Sequence, residues 1–341
     1  MTNHAAHAIP ADRHEAVARG LREALAATHW DELHPLMNGH SGALIYRITV
    51  NGSRYLLRIV TRANDTTFPD HVACMNIAAA AGLAPRVVYA NAGDRVIITD
   101  FIEAAPFQQS DAAVRMPGVL RALHALPPFP GRAGHLNTSP TFLMTGGAAA
   151  EGLLEKFRSA QVLPAEFRQE LFRRLAEAKA VYPTGGSDMV SSHNDILKPD
   201  NVIFDGTRVW LVDWEAAFLN DRYADLAVVA DFLVPDSAER ACLERYFGRA
   251  PGERELARFA VMRQVVHMFY TIAFLWLGAA GKPVDLSGPA PDFREFHRRL
   301  WCGELNIGDP RTKIEYGRVH LEELLKRSNT DRFEEALQVL R

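Results

Sequence analysis

The sequence predicts an α+β protein in two lobes, a small strand-rich lobe followed by a larger, mostly helical one. Three observations carry this. Strand-like runs at 44–50 and 55–60 are joined by Asn51-Gly52, a two-residue hairpin signal. From Asp111 onward the apolar spacing turns helical, broken by one further hairpin marked by Asp205-Gly206. The 341 residues are enough to build two lobes with large cores. The expected division is 1–101, a β-rich lobe with a leading helix, and 102–341, a helical lobe.

The elements follow in order. Residues 11–28 form an amphipathic helix, with Val17, Leu21, Ala24 and Leu25 at helical spacing. Met37-Asn38-Gly39-His40-Ser41-Gly42-Ala43 opens the first hairpin. Such a turn either begins an ordinary hairpin or lays backbone N–H groups over phosphates, with Gly39 and Ser41 at the cradle. In the second strand Leu56, Arg58 and Val60 share one face, and Tyr55, Leu57 and Ile59 the other. An alanine-rich helix spans 70–81, ended by Gly82 with Pro85 beyond. Residues 87–89 and 95–101 are further strands. A helix running into Leu123-His124-Ala125-Leu126 stops at Pro127-Pro128. Residues 129–148 are a long loop, and helices are expected at 149–160, 164–181, 237–247, 252–278, 292–302, 310–327 and 331–340. Asp221 is placed as a helix N-cap.

Composition narrows the function. Hydrophobic residues make up 48% and charged residues 23%, which is ordinary for a globular protein. A net charge of −3 argues against a nucleic-acid or membrane-surface partner, because either would call for a basic patch. Cys74, Cys242 and Cys302 have no close spacing, so they suggest neither a zinc site nor a disulfide framework. Buried thiols in a reducing cytoplasm are expected. Met1 to Pro10 lacks the pattern of a secretory signal, and the apolar stretch at 265–280 is short and interrupted by His267 and Tyr270.

The chemistry concentrates at Ser191-Ser192-His193-Asn194-Asp195 and the following Asn201, then at Val212-Asp213-Trp214-Glu215. Two carboxylates and an amide near one small hairpin are oxygen donors, and oxygen donors suit Mg²⁺. The order His-x-Asp, Asn, apolar-apolar-Asp resembles the choline/ethanolamine kinase and aminoglycoside phosphotransferase superfamily, of protein-kinase-like fold. Five residues separate Asp195 from Asn201, one more than in protein kinases, so the loop bulges near Leu197-Lys198-Pro199 and the role of Lys198 stays open.

The resemblance implies an ATP- and Mg²⁺-dependent phosphotransferase acting on a small-molecule hydroxyl. Asp195 is implied as the base or orienting group, and Asn201 and Asp213 as metal ligands. Arg58 is implied on the α- and β-phosphates, and the backbone of Asp100, Phe101 and Ile102 on the adenine base. Asp225 is implied as a prop for the catalytic loop. The helix glutamate that usually orients the basic strand residue is missing, and Asp70 or His71 are the candidates to replace it. Glu215 could serve a second metal, the substrate's cation, or neither. His124 and His193 read as packed scaffold. Phe269, Tyr270, Trp276 and Trp301, with Asp221 and Glu103, are candidates for an acceptor pocket. An amine-bearing acceptor of choline or ethanolamine type is favoured. An aminoglycoside phosphotransferase and a catalytically weak nucleotide-binding protein of the same fold are the alternatives.

Overall fold

The structure is a computed structural model and describes residues 9–36, 43–61, 67–130, 139–196, 199–328 and 330–341. The chain divides into two compact units, Met1–Pro106 with Ile203–Glu215, and Phe107–Val202 with Ala216–Arg341.

In the first unit, a 3-10 turn at Ala11–Arg13 leads into α1 (His14–Leu25), which stops where Ala26 turns left-handed at φ 49°. The helix is shorter than its apolar spacing predicts because that reversal precedes Thr28. Strand β1 (Glu32–Pro35) then pairs antiparallel with β2 (Ala43–Val50). It has no apolar alternation to announce it, being an exposed edge.

Asn51 (φ 51°) and Gly52 (φ 75°) connect β2 to β3 (Ser53–Val60), the left-handed pair that a tight hairpin requires. Helix α2 (Phe68–Ala80) follows, then β4 (Val87–Asn91) and β5 (Val96–Asp100), giving a five-stranded sheet in the order β1-β2-β3-β5-β4. Leu57 and Ile59 of β3, with Tyr46, Ile48, Val96 and Ile98, bury one sheet face against Val17 and Leu21 of α1. Arg58 points to the opposite face, as the alternation predicts.

The second unit begins with α3 (Gln109–His124), the one-turn α4 (Phe142–Thr145), α5 (Gly147–Ser159) and α6 (Ala165–Val181). Helix α4 interrupts what the sequence presents as loop. Strand β6 (Met189–Ser192) leads into the Asp195 loop, and a 3-10 turn covers Pro199–Asn201. The hairpin β7 (Val202–Phe204) and β8 (Val209–Leu211) turns at Gly206, φ 95°.

From Ile203 to Glu215 the chain groups with the first unit rather than the helical one. Backbone bonds tie it there, from the Ala105 N–H to Phe204 O and from the Leu211 N–H to Leu83 O. Strand β9 (Phe218–Asp221) then returns to pair with β6, a two-stranded sheet too short for its pattern to stand out in the sequence.

The remaining helices are α7 (Arg222–Leu233), α8 (Glu239–Phe247), α9 (Glu253–Ala279), α10 (Phe293–Trp301), α11 (Pro310–Ser328) and α12 (Asp331–Leu340). Helix α9 is the axis of this unit, packed by α6, α7, α11 and α12. It is long and apolar enough to cross a membrane, yet 72% of its most apolar window is buried within the protein, as in a core helix. Two glycines let α11 approach it closely. A Cβ at Gly317 would lie 2.6 Å from Leu275 Cγ, and one at Gly278 would lie 2.8 Å from Pro310 O. Cys74 and Cys242 are buried as expected, but Cys302 is exposed because it caps the solvent end of α10.

Candidate active site

The first unit holds Arg58 and Asp213. Strand β3 lies inside the sheet, so Arg58 is flanked by Ile45 of β2 and Ile97 of β5 and its Cα is fixed on both sides. Its guanidinium is buried and forks between two carboxylates. Nη1 donates to Asp213 Oδ1 at 2.8 Å, and Nη2 donates to Glu215 Oε2 at 2.8 Å. Asp213 takes a left-handed backbone, φ 64°, two residues after β8. An aspartate tolerates that region better than most residues, and it re-aims the chain so that residues two apart meet one arginine. The 3-10 turn Trp214–Ala216 then holds Glu215 in place, pinned by the buried Trp214 ring, whose Nε1–H donates to Leu211 O at 2.9 Å.

Glu215 is thus a second carboxylate on Arg58, where the sequence offered Asp70 or His71. Asp70 is the only acid of α2, and its field pushes the buried Cys74 thiol up, behind the burial that raises it most. His71 is buried against Phe68.

The expected adenine contacts begin at the end of β5. The Asp100 N–H already donates to Arg86 O at 3.0 Å, and the Asp100 carboxylate is bridged by Arg86 through both oxygens. The Phe101 N–H lies 3.4 Å from Arg54 O. The Asp100 donor is thus engaged inside the sheet. Gly39 and Ser41 lie outside the described residues.

The second unit holds Asp195 and Asn201, and they meet. Asn201 is buried, and its Nδ2 donates to Asp195 O at 2.7 Å and to Asp195 Oδ2 at 3.1 Å. With both amide hydrogens directed at Asp195, Asn201 presents Oδ1 as its acceptor. The loop ahead of Asp195 is built on Asp225, fully buried on α7. Asp225 Oδ2 accepts from Ser192 Oγ (2.6 Å) and the His193 N–H (3.2 Å), and Oδ1 accepts from the Asn194 N–H (3.2 Å). His124 Nε2 lies 3.3 Å from the same carboxylate, and its Nδ1 lies 2.7 Å from Tyr246 Oη. Burial pushes the Asp225 carboxyl up, but the His124 contact and the Ser192 bond outweigh it and leave the pKa below the ordinary value. The expected prop is thus in place, and His124, expected only to pack, is its support.

Asn194 takes φ 64°. Its Oδ1 accepts from Asn220 Nδ2 (2.6 Å), and its Nδ2 donates to Ala216 O (3.1 Å). Asn194 and Asn220 are participants that the motif order alone does not announce, since amides in loops are common.

Asp221 caps α7, accepting from the Tyr223 N–H at 2.9 Å, and is also held by Arg258 Nη2 at 2.7 Å and the Tyr182 hydroxyl at 3.0 Å. Burial raises its pKa against those partners. It is therefore structural, not an acceptor-pocket charge. Glu103 pairs with Arg54 at the surface. Phe269 and Tyr270 are buried, and Trp301 donates Nε1–H to Phe107 O at 3.0 Å. Burial first, and the Asp195 charge second, raise the Tyr270 hydroxyl well above its ordinary pKa. Among the described residues no group of three or more His, Cys, Asp or Glu side chains gathers as a metal cluster.

Solved structures with the same fold cover nearly the whole chain. A choline/ethanolamine kinase family protein from Mesorhizobium loti aligns over 96% of this chain and 99% of its own, with TM-score 0.64 and 19% identity. A choline kinase from Cryptosporidium parvum covers 95% and 98%, with TM-score 0.64 and 11% identity. Choline kinase LicA from Streptococcus pneumoniae covers 92% and 100%, with TM-score 0.56 and 14% identity. No curated protein matches the sequence. The small antiparallel-sheet unit and larger helical unit are those of the protein-kinase-like fold. The family model described as "Phosphotransferase enzyme family" (APH) matches residues 32–259, and the chain belongs to that family.

Proposed function

We propose that this phosphotransferase uses ATP and Mg²⁺ to phosphorylate a hydroxyl of a small amine-bearing alcohol of choline or ethanolamine type. The observation that carries the reading is the Asn201 amide turned onto Asp195. It fixes the carboxylate next to an amide oxygen, so that a proton-accepting group and a cation ligand are preset together. Asn201 Oδ1 and the Asp213 carboxylate are hard oxygen donors of the kind Mg²⁺ takes, with few protein ligands and the rest from phosphate and water. The bound ion would neutralise phosphate charge.

The chain's own residues do the remaining work. The Asp195 carboxylate orients the acceptor hydroxyl and takes its proton as the oxygen attacks the terminal phosphorus, whose bond to the bridging oxygen breaks to release ADP. Asp225, through Ser192 and the loop N–H groups, keeps Asp195 from drifting. Arg58 supplies a permanent charge toward the nucleotide phosphates.

The choice of acceptor is supported by the state of the acids on the C-terminal helices. Asp231 and Glu239 are buried and held by Arg263, and Asp236 is shared by Arg263, Arg294 and Arg327. A polycationic aminoglycoside calls for several uncommitted converging acids, whereas a single ammonium is served by aromatic faces and one charge. The purified chain, assayed for ATP consumption against choline, ethanolamine and a panel of aminoglycosides, should turn over with the first group and not the second. Turnover with aminoglycosides alone would reverse the choice of acceptor.

A further inference from the structure

We propose that Glu215 is the positioning carboxylate of Arg58, a role that takes it out of the metal site and the acceptor pocket. The inference rests on the phosphotransferase reading and deepens it. Arg58 is a buried guanidinium, and a buried charge must be compensated and hydrogen-bonded to be tolerated. Two carboxylates do this, one on each terminal nitrogen, both at 2.8 Å.

They are not equivalent. Asp213 is the left-handed residue two positions beyond β8 and is the group proposed to face a cation, so its charge is claimed from two sides. Glu215 lies two residues further on, in the 3-10 turn Trp214–Ala216, and the buried Trp214 ring beside it holds that turn in place. It can therefore keep the guanidinium aligned and compensated while Asp213 serves the ion. The trio carries one net negative charge, which a divalent cation reverses before the phosphates arrive. Helix α2 supplies no glutamate for this purpose, its one acid being Asp70 in the first turn.

The test is calorimetric titration of the full chain with ATP and with adenosine, at zero and saturating Mg²⁺. Glu215→Gln is expected to weaken ATP about tenfold, the scale of one charge-assisted hydrogen bond, and to leave adenosine unchanged. Glu215→Asp, which keeps the charge, should recover part of the loss. In an Arg58→Met background, Glu215→Gln should cost nothing further, because the group it positions is gone.

An equal loss in both backgrounds would overturn the inference. So would a rise in the Mg²⁺ concentration needed for half-maximal nucleotide binding, since either result makes Glu215 an independent ligand. If Glu215→Gln does not fold, the same comparisons are read on Glu215→Asp. A wild-type chain that binds ATP no more tightly than adenosine would bring down the phosphotransferase reading itself. A clear wild-type preference for ATP that Glu215→Gln leaves undiminished would bring down this inference alone.

Discussion

On the proposed function Arg58 is the residue that would meet the nucleotide phosphates, and its fork is held at both ends by acids two positions apart in the chain. Arg58→Met should weaken ATP roughly tenfold to a hundredfold in a binding titration while sparing adenosine, since only ATP has phosphates to lose. Equal losses for the two ligands would make it a structural arginine. Its removal also takes the guanidinium from between the Asp213 and Glu215 carboxylates, so some stability should go with the affinity. Asp195 belongs to a different kind of experiment. Asp195→Ala should slow transfer by roughly 10²–10⁴-fold with ATP affinity nearly intact. A large loss of affinity at an unchanged rate of the bound complex would remove it from the reaction.

At the scale of elements, the Asp195 loop is hung between β6 and α7, and the hanger is one carboxylate. Asp225 accepts from a hydroxyl and two loop N–H groups, with His124 against it from α3. Asp225→Ala would orphan these buried groups together, and a loss of about 3–5 kcal/mol in urea unfolding is expected, with activity lost ahead of fold. A variant within about 0.5 kcal/mol of wild type would mean that water or another group replaces the carboxylate.

Much of this was legible in the sequence. The order of Asp195, Asn201 and Asp213, the hairpin turns at Asn51-Gly52 and Asp205-Gly206, and most helix spans follow from local signals that act within a few residues. What escaped was long-range. Strands β6 and β9 are 26 residues apart (Ser192 to Phe218) and pair only in the folded chain. Glu215 finds Arg58 across 157 positions. The support from His124 spans 101 positions to Asp225. No local pattern encodes such distances, and a lone histidine on an apolar helix looks alike whether it packs or carries a partner.

For the whole molecule, the deepest chemistry is three imidazoles in the core of the helical unit. His267 on α9 and His320 on α11 face each other, Nδ1 to Nδ1, at 2.9 Å, a separation that admits one proton between two neutral rings. His297 on α10 contacts Phe293 O at 2.8 Å through Nδ1 and the Tyr316 hydroxyl at 3.2 Å through Nε2. Burial is the main cause that lowers all three. The Arg327 and Arg263 charges add to it at His267, and the neighbouring imidazoles add to it at His320. His297 falls to about 4, and the other two lie well below the usual value.

The unfolded chain protonates these rings near pH 6.5 and the folded one does not, so the unfolded state binds more protons as pH falls. Stability should therefore be full above about pH 6.5 and decline toward pH 4. His297 alone accounts for about 3 kcal/mol over that window. Asp221, whose pKa burial raises, pulls the other way, one group against three. Urea midpoints measured from pH 7.5 to 4.5 should drop steadily, and His297→Phe should flatten part of the slope. A midpoint that holds constant across the window would mean that the rings are already protonated in the fold, and the neutral pair between α9 and α11 would have to be given up.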